Sequence, residues 1–502
     1  MKVYLAGYNV DTGVLKELEE KTGKREDLTP EVISAAYARI SRDPRPINEI
    51  RQSSREEVEK SRRSNSTIIF KMGHHSVAEH AIFNLDILGV SRLGMEEVEK
   101  FRLCSYTEKS QRYITLDNDF VIPEEIKGTI SEDMFVNMIR QQNKAYFELF
   151  EKLKIHVFEK YADLAQDPKK QSMIEGWAKE DARYITSLAT ESQVGLTMNA
   201  RNCELMLRRF ASCPLTEIKT LGRAIYEQVS VIAPSIVIFH QANELDKNTF
   251  GELKNLALQL VGKADAKQGE IREVELVEYT PDADNVIAAS LLHVAGGIPY
   301  SECKRIADNL SEEELKNIFK TSWKNMQFYD SVVREFEYAN LTYNIVLSSA
   351  CFGQLKRHRM STITSQEYDP NLGVTIPEAI KEIKMDKYFQ EIVDKTNEVY
   401  NAIYKEIPLA APYILTNAHR KRVLIRVNAR ELYHISRLRE DAHSQWDIRN
   451  ISQAMTKAAK KVMPRVFELI GGKDKYNENY ENIYGHMPKI IEAALPGVRK
   501  IK

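Results

Sequence analysis

The stretch MNARNCELMLRR at 198–209 returns in diverged form as VNARELYHISRL at 427–438. We interpret each copy as a helix that opens with Asn-Ala-Arg. The two copies are separated by about half of the 502-residue chain, which is too long a period for a solenoid repeat. The stretch therefore predicts a fold that is built twice within one chain.

Two further pairs of segments extend the repeat toward the N-terminus of each half. TPEVISAAYARIS at 29–41 resembles TPDADNVIAASLL at 280–292, and the segment from Ser54 resembles the segment from Ser311. Because several segments match in the same order, two fused and diverged domains are favoured over chance similarity between helices. The predicted organisation is a first domain at 1–245, a polar linker at 246–272 and a second domain at 273–502.

Hydrophobic periodicity places a strand and then a helix before each polar cluster. Apolar residues occupy every second position from Phe83 to Gly89, and the same alternation runs from Leu341 to Leu347, which predicts strands at 81–90 and 341–348. We expect a helix after each strand, at 95–102 and 352–359, and long amphipathic helices at 131–158 and 385–407. The predicted class is α+β, with each sheet covered by long helices.

Composition and charge exclude several classes of protein. The chain has 71 basic and 72 acidic residues, so it lacks the overall positive charge that is typical of nucleic-acid binding. Its five cysteines form no Cys-x-x-Cys pair, which favours a reducing, cytoplasmic compartment. The N-terminus does not resemble a signal peptide, and the longest apolar stretch, 229–239, is too short to span a bilayer. We expect no membrane association.

The first half contains two polar clusters. SYTEKSQRY at 105–113 combines hydroxyls with Glu108 and Arg112, a set that suits a phosphate and a sugar or base; the alternative is a solvated loop. GHHSVAEH at 73–80 is rich in histidine, but its spacing differs from His-Glu-x-x-His, so we expect no metal site.

The second half contributes two cationic segments. QLKRHR at 354–359 is a plausible anion site at a helix end, although a surface charge run is the commoner case. NARELYHISRLREDAHSQWDIR at 428–449 places Arg430 and His434 four residues apart, as it does Arg439 and His443, so on one helix each pair shares a face. The sequence has no GxSxG, Walker A or GxGxxG motif. An enzymatic activity would therefore depend on a bound cofactor.

Taken together, these motifs resemble the flavin-dependent thymidylate synthases. That family is marked by RHRxxSxNExSxRY, preceded by HxxxxEH and followed by KEDAR and NARxLxHFLxLRxxxHAQWEIR. The first half carries HHSVAEH, KFRLCSYTEKSQRY, KEDAR from Lys179 and NAR from Asn199, whereas the second half carries RHR and the full NAR segment through Arg449.

The two halves depart from the family pattern in complementary ways. Lys100-Phe101-Arg102 replaces RHR in the first half, Thr107 replaces the motif's asparagine, and the HxQW ending is missing. The second half has a shortened loop without SxRY, and AAPYI around Pro412 in place of KEDAR. Family members are homotetramers with active sites built by several subunits. The resemblance therefore implies one complete composite site and one decayed site, and a homodimer of this chain in place of the tetramer.

The resemblance implies the reductive methylation of dUMP to dTMP, with methylenetetrahydrofolate as carbon donor and NADPH as reductant through FAD. One alternative is the same flavin and folate chemistry on another pyrimidine nucleotide or on RNA. Another is a non-catalytic protein that binds a nucleotide or a flavin.

The site residues implied by the resemblance fall into three groups. Arg439 is the expected catalytic residue, poised over the uracil ring, and we expect Arg208 or Arg209 near the equivalent place in the first half. The expected cofactor-binding residues are Ser76, Glu79, Glu108, Arg357, His358, Arg359, Asn428, Arg430 and His434. The expected substrate-binding residues are Gln354, Arg357, Glu108, Lys109, Ser110, Gln111, Arg112, Arg183 and Arg439. No metal ligand is expected.

Overall fold

The structure is a computed structural model that describes residues 11–23, 29–39, 44–71, 74–110, 119–264 and 269–489. Helices dominate these residues. In chain order the α-helices are α1 Thr12–Thr22, α2 Glu31–Arg39, α3 Ile47–Glu56, α4 Val58–Asn65, α5 Arg92–Val98, α6 Ser131–Lys160, α7 Ala162–Ala165, α8 Pro168–Ala182, α9 Ala200–Ser212, α10 Thr216–Ile232, α11 Glu244–Lys263, α12 Ala283–Gly296, α13 Tyr300–Ala307, α14 Glu312–Trp323, α15 Ser349–Leu355, α16 Glu378–Glu382, α17 Asp386–Glu406, α18 Ala429–Arg439, α19 Trp446–Val462 and α20 Tyr476–Tyr484. Across the described ranges, no helix combines the length and apolar character needed to cross a membrane.

Two small antiparallel sheets complete the α+β fold and confirm the predicted class. The first has the order β1-β3-β2, and the second has the order β4-β5-β7-β6. The strands are β1 Ile82–Ser91, β2 Cys104–Glu108, β3 Glu191–Asn199, β4 Val274–Tyr279, β5 Asn340–Ser348, β6 Thr362–Ser365 and β7 Arg420–Asn428. In both sheets an inner strand, β3 in the first and β7 in the second, leads into the NAR helix.

The chain divides into two compact units whose limits differ from the sequence repeats. The first unit comprises the described residues of Met1–Lys267 together with Ile383–Leu415, and the second comprises those of Gln268–Glu382 and Thr416–Lys502. Most of the segment predicted as a linker, 246–272, is the C-terminal part of α11. The boundaries of the two homologous domains describe the sequence repeat, and they stay a prediction.

Buried polar contacts hold α17 in the first unit. Gln142 on α6 is fully buried and donates to Thr396 Oγ1 and to the Ile414 carbonyl, both at 2.9 Å. Just after α17, the Leu415 carbonyl accepts from the Leu188 backbone N–H at 2.7 Å. Because an unpaired buried amide is costly, these contacts fix the register of α17 against α6.

The repeat is visible in the strand register of each unit. Ile82 pairs with Asn199 in the first sheet, and Asn340 pairs with Asn428 in the second. Asn199 and Asn428 each accept a hydrogen bond from the backbone N–H three residues on, and so cap α9 and α18. The NAR motif is thus a strand-to-helix junction in which the asparagine is the cap.

In β1 the predicted alternation of buried and exposed residues holds except at one bulge. Phe83 and Ile87 are buried as expected, but the register shifts between Leu88 and Val90. Gly89 lies at the bulge with φ 74°, a conformation that glycine adopts without a steric cost. Val90 is consequently the buried residue in place of Gly89.

Candidate functional site

The cationic segment of the second unit follows a helix instead of ending one. Helix α15 ends at Leu355, so Arg357, His358 and Arg359 lie in the turn after it, and the predicted helix at 352–359 was too long. The backbone N–H of His358 donates to the Leu355 carbonyl at 3.1 Å, which tightens this turn. As a result His358 is buried at 3% exposure, while Arg357 and Arg359 are exposed.

Arg439, the last residue of α18, is fixed by two acceptors on and after α15. Its Nε donates to His358 Nε2 at 2.9 Å, and one terminal nitrogen donates to the Gln354 carbonyl at 3.2 Å. Because arginine has no acceptor, His358 must accept at Nε2 and carry its proton on Nδ1. Burial, reinforced by the adjacent Arg439 charge, lowers the pKa of His358 to about 3. The imidazole is therefore neutral, and this contact orients the guanidinium without cancelling its charge.

The end of α15 is joined to the start of α19 by two glutamines. Gln354 Nε2 donates to Gln445 Oε1 at 3.3 Å, and Gln445 caps α19 by accepting from the N–H groups of Asp447 and Ile448. Helix α18 ends at Arg439, so His443 lies beyond it in an exposed turn. The prediction that Arg439 and His443 share a helix face was wrong, because the backbone turns away after Arg439.

The arginine of the NAR motif is paired with a glutamate in both units. Arg430 donates to the Val332 carbonyl at 2.8 Å and to Glu337 at 3.0 Å. In the first unit Arg201 pairs with Glu79 at 2.5 Å. Glu79 and Glu337 occupy equivalent places in the short 3₁₀ helices before β1 and β5. The observed partner of Glu79 is thus a structural arginine.

A small pocket lies beside the NAR helix of the second unit. Arg430, His434 and Arg437 contribute polar groups to it, and Tyr433 and Lys473 are also among the lining residues. Arg439 is not among the lining residues of this pocket. Its guanidinium lies toward α15, where His358 and Gln354 accept its hydrogen bonds.

Arg437 was not predicted from the sequence. It donates to the Asp330 carbonyl at 2.6 Å and lies 3.2 Å from His434 Nδ1. Burial lowers the pKa of His434 and raises the pKa of Glu431 on the preceding turn. Both shifts favour uncharged side chains, so the arginines supply the positive charge on this part of α18. The sequence signal for Arg437 was its position three residues after His434, which puts the two side chains on the same face of the helix.

In the first unit, Glu108 is held by two residues that the motifs did not indicate. Arg92 donates to its two oxygens at 3.1 and 3.2 Å, and Ser192 Oγ donates at 3.0 Å. The Arg92 and Glu108 side chains are only 6% and 5% exposed. Arg92 directly follows β1 and Ser192 lies on β3, so only the sheet brings them together.

The other residues predicted for the site in the first unit differ in their burial. Arg183 is buried at the end of α8, where its Nε donates to the Glu180 carbonyl at 3.3 Å. Lys109 and Ser110 follow β2 and are half-buried, and Ser76 is exposed in the 3₁₀ helix before β1. Gln111 and Arg112 lie outside the described residues.

Phe210, not Arg208 or Arg209, occupies the place in the first unit that Arg439 has in the second. The aligned NAR motifs put Arg430 opposite Arg201, and hence Arg439 opposite Phe210. Phe210 packs edge-to-face on Phe101 with ring centroids 5.9 Å apart. Arg208 and Arg209 bind the buried carboxylate of Asp246 at 3.0 and 2.9 Å. The prediction put Arg208 or Arg209 near this place, and the aligned position is the next residue after Arg209.

These features define an α+β protein with two copies of one strand-to-helix unit; within the described residues, the second copy has a contact between an arginine and a buried histidine, and the first has two phenylalanines in its place. The chain matches the thymidylate synthase complementing protein family twice, over residues 25–235 and 275–465. It therefore belongs to this family, which contains the flavin-dependent thymidylate synthases.

Similarity to individual proteins extends over one or both halves. The chain is 25% identical over 415 residues to a UPF0159 protein of Chlamydia muridarum, which covers 78% of this chain and 77% of that protein. It is 22% identical over 444 residues to a UPF0159 protein of Thermoplasma acidophilum, covering 80% and 87%. A flavin-dependent thymidylate synthase of Clostridium tetani is 30% identical over 211 residues, covering 41% of this chain and 80% of that enzyme. The named synthase thus corresponds to about half of this chain.

Proposed function

We propose that this protein catalyses the reductive methylation of dUMP to dTMP, with methylenetetrahydrofolate as carbon donor and NADPH as reductant through FAD. The observation that carries the proposal is the 2.9 Å contact between Arg439 and His358 in the second unit. It occurs in a chain whose family includes the flavin-dependent thymidylate synthases. A guanidinium fixed in advance stabilises negative charge that develops on a pyrimidine ring. We assign this role to Arg439.

The side chains around the α15 turn fit a phosphate-bearing flavin. Arg357 and Arg359 are exposed cations on either side of buried His358, and arginine donates in a fork that suits phosphate oxygens. We propose that these arginines hold the flavin phosphates, with Ser76, Asn428 and His434 as further contacts. When bound, the flavin would supply the hydride that reduces the transferred carbon.

We propose that the nucleotide is recognised by residues retained in both halves. Gln354 and Arg357 come from the second, and the first contributes Glu108, Lys109, Ser110, Gln111, Arg112 and Arg183. The contacts of Glu108 support its inclusion, because Arg92 and Ser192 hold it as a carboxylate that can accept from ribose or base N–H and O–H groups.

The experiment begins with the absorption spectrum of the purified full chain. A flavin spectrum, followed by NADPH oxidation and dTMP formation that both require dUMP and methylenetetrahydrofolate, is the expected result. A flavin-loaded protein that leaves dUMP unchanged would instead support another pyrimidine nucleotide or RNA as substrate. A chain that neither purifies with FAD nor binds added FAD would overturn the proposal.

A further inference from the structure

Helix α11 of the first unit exposes a row of large apolar side chains to solvent. Phe250, Leu253, Leu256, Leu260 and Val261 are between 51% and 63% exposed. Its N-terminal turn is anchored, because buried Asp246 binds Arg208 and Arg209 of α9. Phe250 also lies against Arg209, whose guanidinium is 5.2 Å from the ring centroid. The helix is thus fixed at its N-terminal end, while the turns from Leu253 onward present an open surface.

The exposed apolar residues lie on one face of α11. With 3.6 residues per turn, these five side chains fall within an arc of about 140°, and Ala257 lies inside that arc. Leu258 is 64% exposed but lies outside this arc, about 60° beyond Val261. A contiguous apolar stripe, unlike scattered apolar residues, marks an interaction surface. The helix lies between the two family-matched segments, which end at residue 235 and resume at 275, so the family match does not account for it.

The charges beside the stripe favour a second copy of the same helix as its partner. Glu252 and Lys263 are eleven residues apart, about three turns, and therefore share one edge of the stripe. In an antiparallel pair related by a two-fold axis, Glu252 of each helix faces Lys263 of the other. In a parallel two-fold pair, the edge that carries Glu252 and Lys263 would face the other edge of the partner helix, so this reciprocal pairing would be lost. Ala257 lies near the centre of the antiparallel arrangement, where a small side chain lets the helices approach closely.

We propose that α11 is the dimerisation surface of this chain, paired antiparallel with α11 of a second copy. The surface is self-complementary, so the interface closes with two-fold symmetry and leaves no unpaired copy of the stripe. One helix pair buries less than the roughly 1,600 Å² of a standard interface. The dimer is therefore expected to form at tens of micromolar chain and to dissociate on dilution.

Sedimentation equilibrium of the full chain tests the surface. At about 50 µM, we expect a mass that approaches twice 57.7 kDa for the native chain and for Leu258→Asp. For Leu253→Asp with Leu260→Asp, we expect 57.7 kDa and an unchanged circular dichroism spectrum. Leu258 is the matched control, because it has the same side chain and similar exposure outside the stripe. A monomeric native chain, or equal dissociation by both variants, would overturn the proposal.

Charge exchange and cross-linking test the orientation. Glu252→Lys alone should weaken the dimer, and adding Lys263→Glu should restore it. Ala257→Cys should form a disulfide-linked dimer on mild oxidation, whereas Leu258→Cys should not. Failure of the double charge variant to recover the dimer, or cross-linking that is equal at the two positions, would rule out antiparallel pairing. If the Leu253 and Leu260 changes lowered thermal stability without changing the mass, the stripe would be an internal packing surface, which also contradicts the proposal.

Discussion

The ends of the two NAR helices carry side chains of opposite character on equivalent backbone. In the second unit, Arg439 donates to His358 at 2.9 Å. In the first unit, Phe210 packs on Phe101 at a centroid distance of 5.9 Å. Both positions differ between the units, so each unit has a matched pair. A half-buried arginine facing a phenylalanine would lose one of its acceptors, and a buried histidine facing a phenylalanine would lose its donor.

This difference shows how one scaffold can hold either a polar site or ordinary core. Phe210 is 2% exposed, and a Cβ added at Gly222 would lie 2.9 Å from its Cβ, so α10 packs closely on it. In the second unit, the corresponding space is crossed by charge-assisted hydrogen bonds. We therefore expect changes in the first pair to affect stability and changes in the second to affect catalysis.

The largest expected effect on stability follows from placing an arginine in the phenylalanine pair of the first unit. Phe210→Arg removes a buried ring and leaves an unpaired buried charge, so it should lower the free energy of unfolding by about 3–5 kcal/mol. Adding Phe101→His should recover about 0.5–3 kcal/mol through the restored contact. Urea denaturation measures both variants. Additive effects would show that the two positions do not form a pair.

The second-largest effect is expected on turnover, from the removal of Arg439. Arg439→Ala should keep bound FAD and much of the dUMP affinity, yet lose on the order of a hundredfold or more in turnover, because the charge contact acts mainly in the transition state. Single-turnover formation of dTMP is the measurement. Arg208→Ala and Arg209→Ala are the controls: they should lower the melting temperature through Asp246 and leave the turnover rate nearly unchanged. The reverse pattern would place the site in the first unit.

A smaller effect is expected from the pH dependence of stability. His358 stays neutral in the fold down to about pH 3 but takes up a proton near pH 6.5 when unfolded. Titration of His358 therefore leaves the free energy of unfolding unchanged above pH 6.5. Below that pH it lowers the free energy of unfolding by about 1.4 kcal/mol per pH unit as the pH drops toward 3. His358→Phe should be less sensitive to acid than the native chain by about 2 kcal/mol at pH 5. Buried His419 is present in both the native chain and the variant, so its effect cancels in the comparison. If both proteins lost the same stability as the pH falls, His358 would be protonated in the fold.

The smallest effect concerns the ion pairs that the two units share. Glu79→Gln and Glu337→Gln should each lower the free energy of unfolding by about 0.2–1 kcal/mol, because both pairs are partly exposed. Neither variant should lose FAD if these carboxylates only hold Arg201 and Arg430. Release of FAD from Glu79→Gln, with no change in stability, would support the expectation that Glu79 binds the cofactor.

Local pattern was sufficient to predict much of the scaffold. Alternating apolar residues predicted β1 and β5 to within one residue at each end, because a strand with one buried face must repeat every two residues. The long runs at 131–158 and 385–407 predicted α6 and α17 for the corresponding reason. The repeated NAR motif predicted the duplication, which the two family matches confirm.

The sequence by itself determined the fold class, the repeat, several of the main elements and the family, because propensity, periodicity and motifs act over a few residues. Only the tertiary structure decided that α17 packs in the first unit, that Glu108 is held by Arg92 and Ser192, and that Phe210 packs on Phe101. Each of these depends on residues far apart in the chain, or on a register that shifts by a single position. Buried donors and acceptors must find partners wherever the fold places them, and the partners of Glu108, His358 and Gln142 became visible only once the sheets and helices had packed.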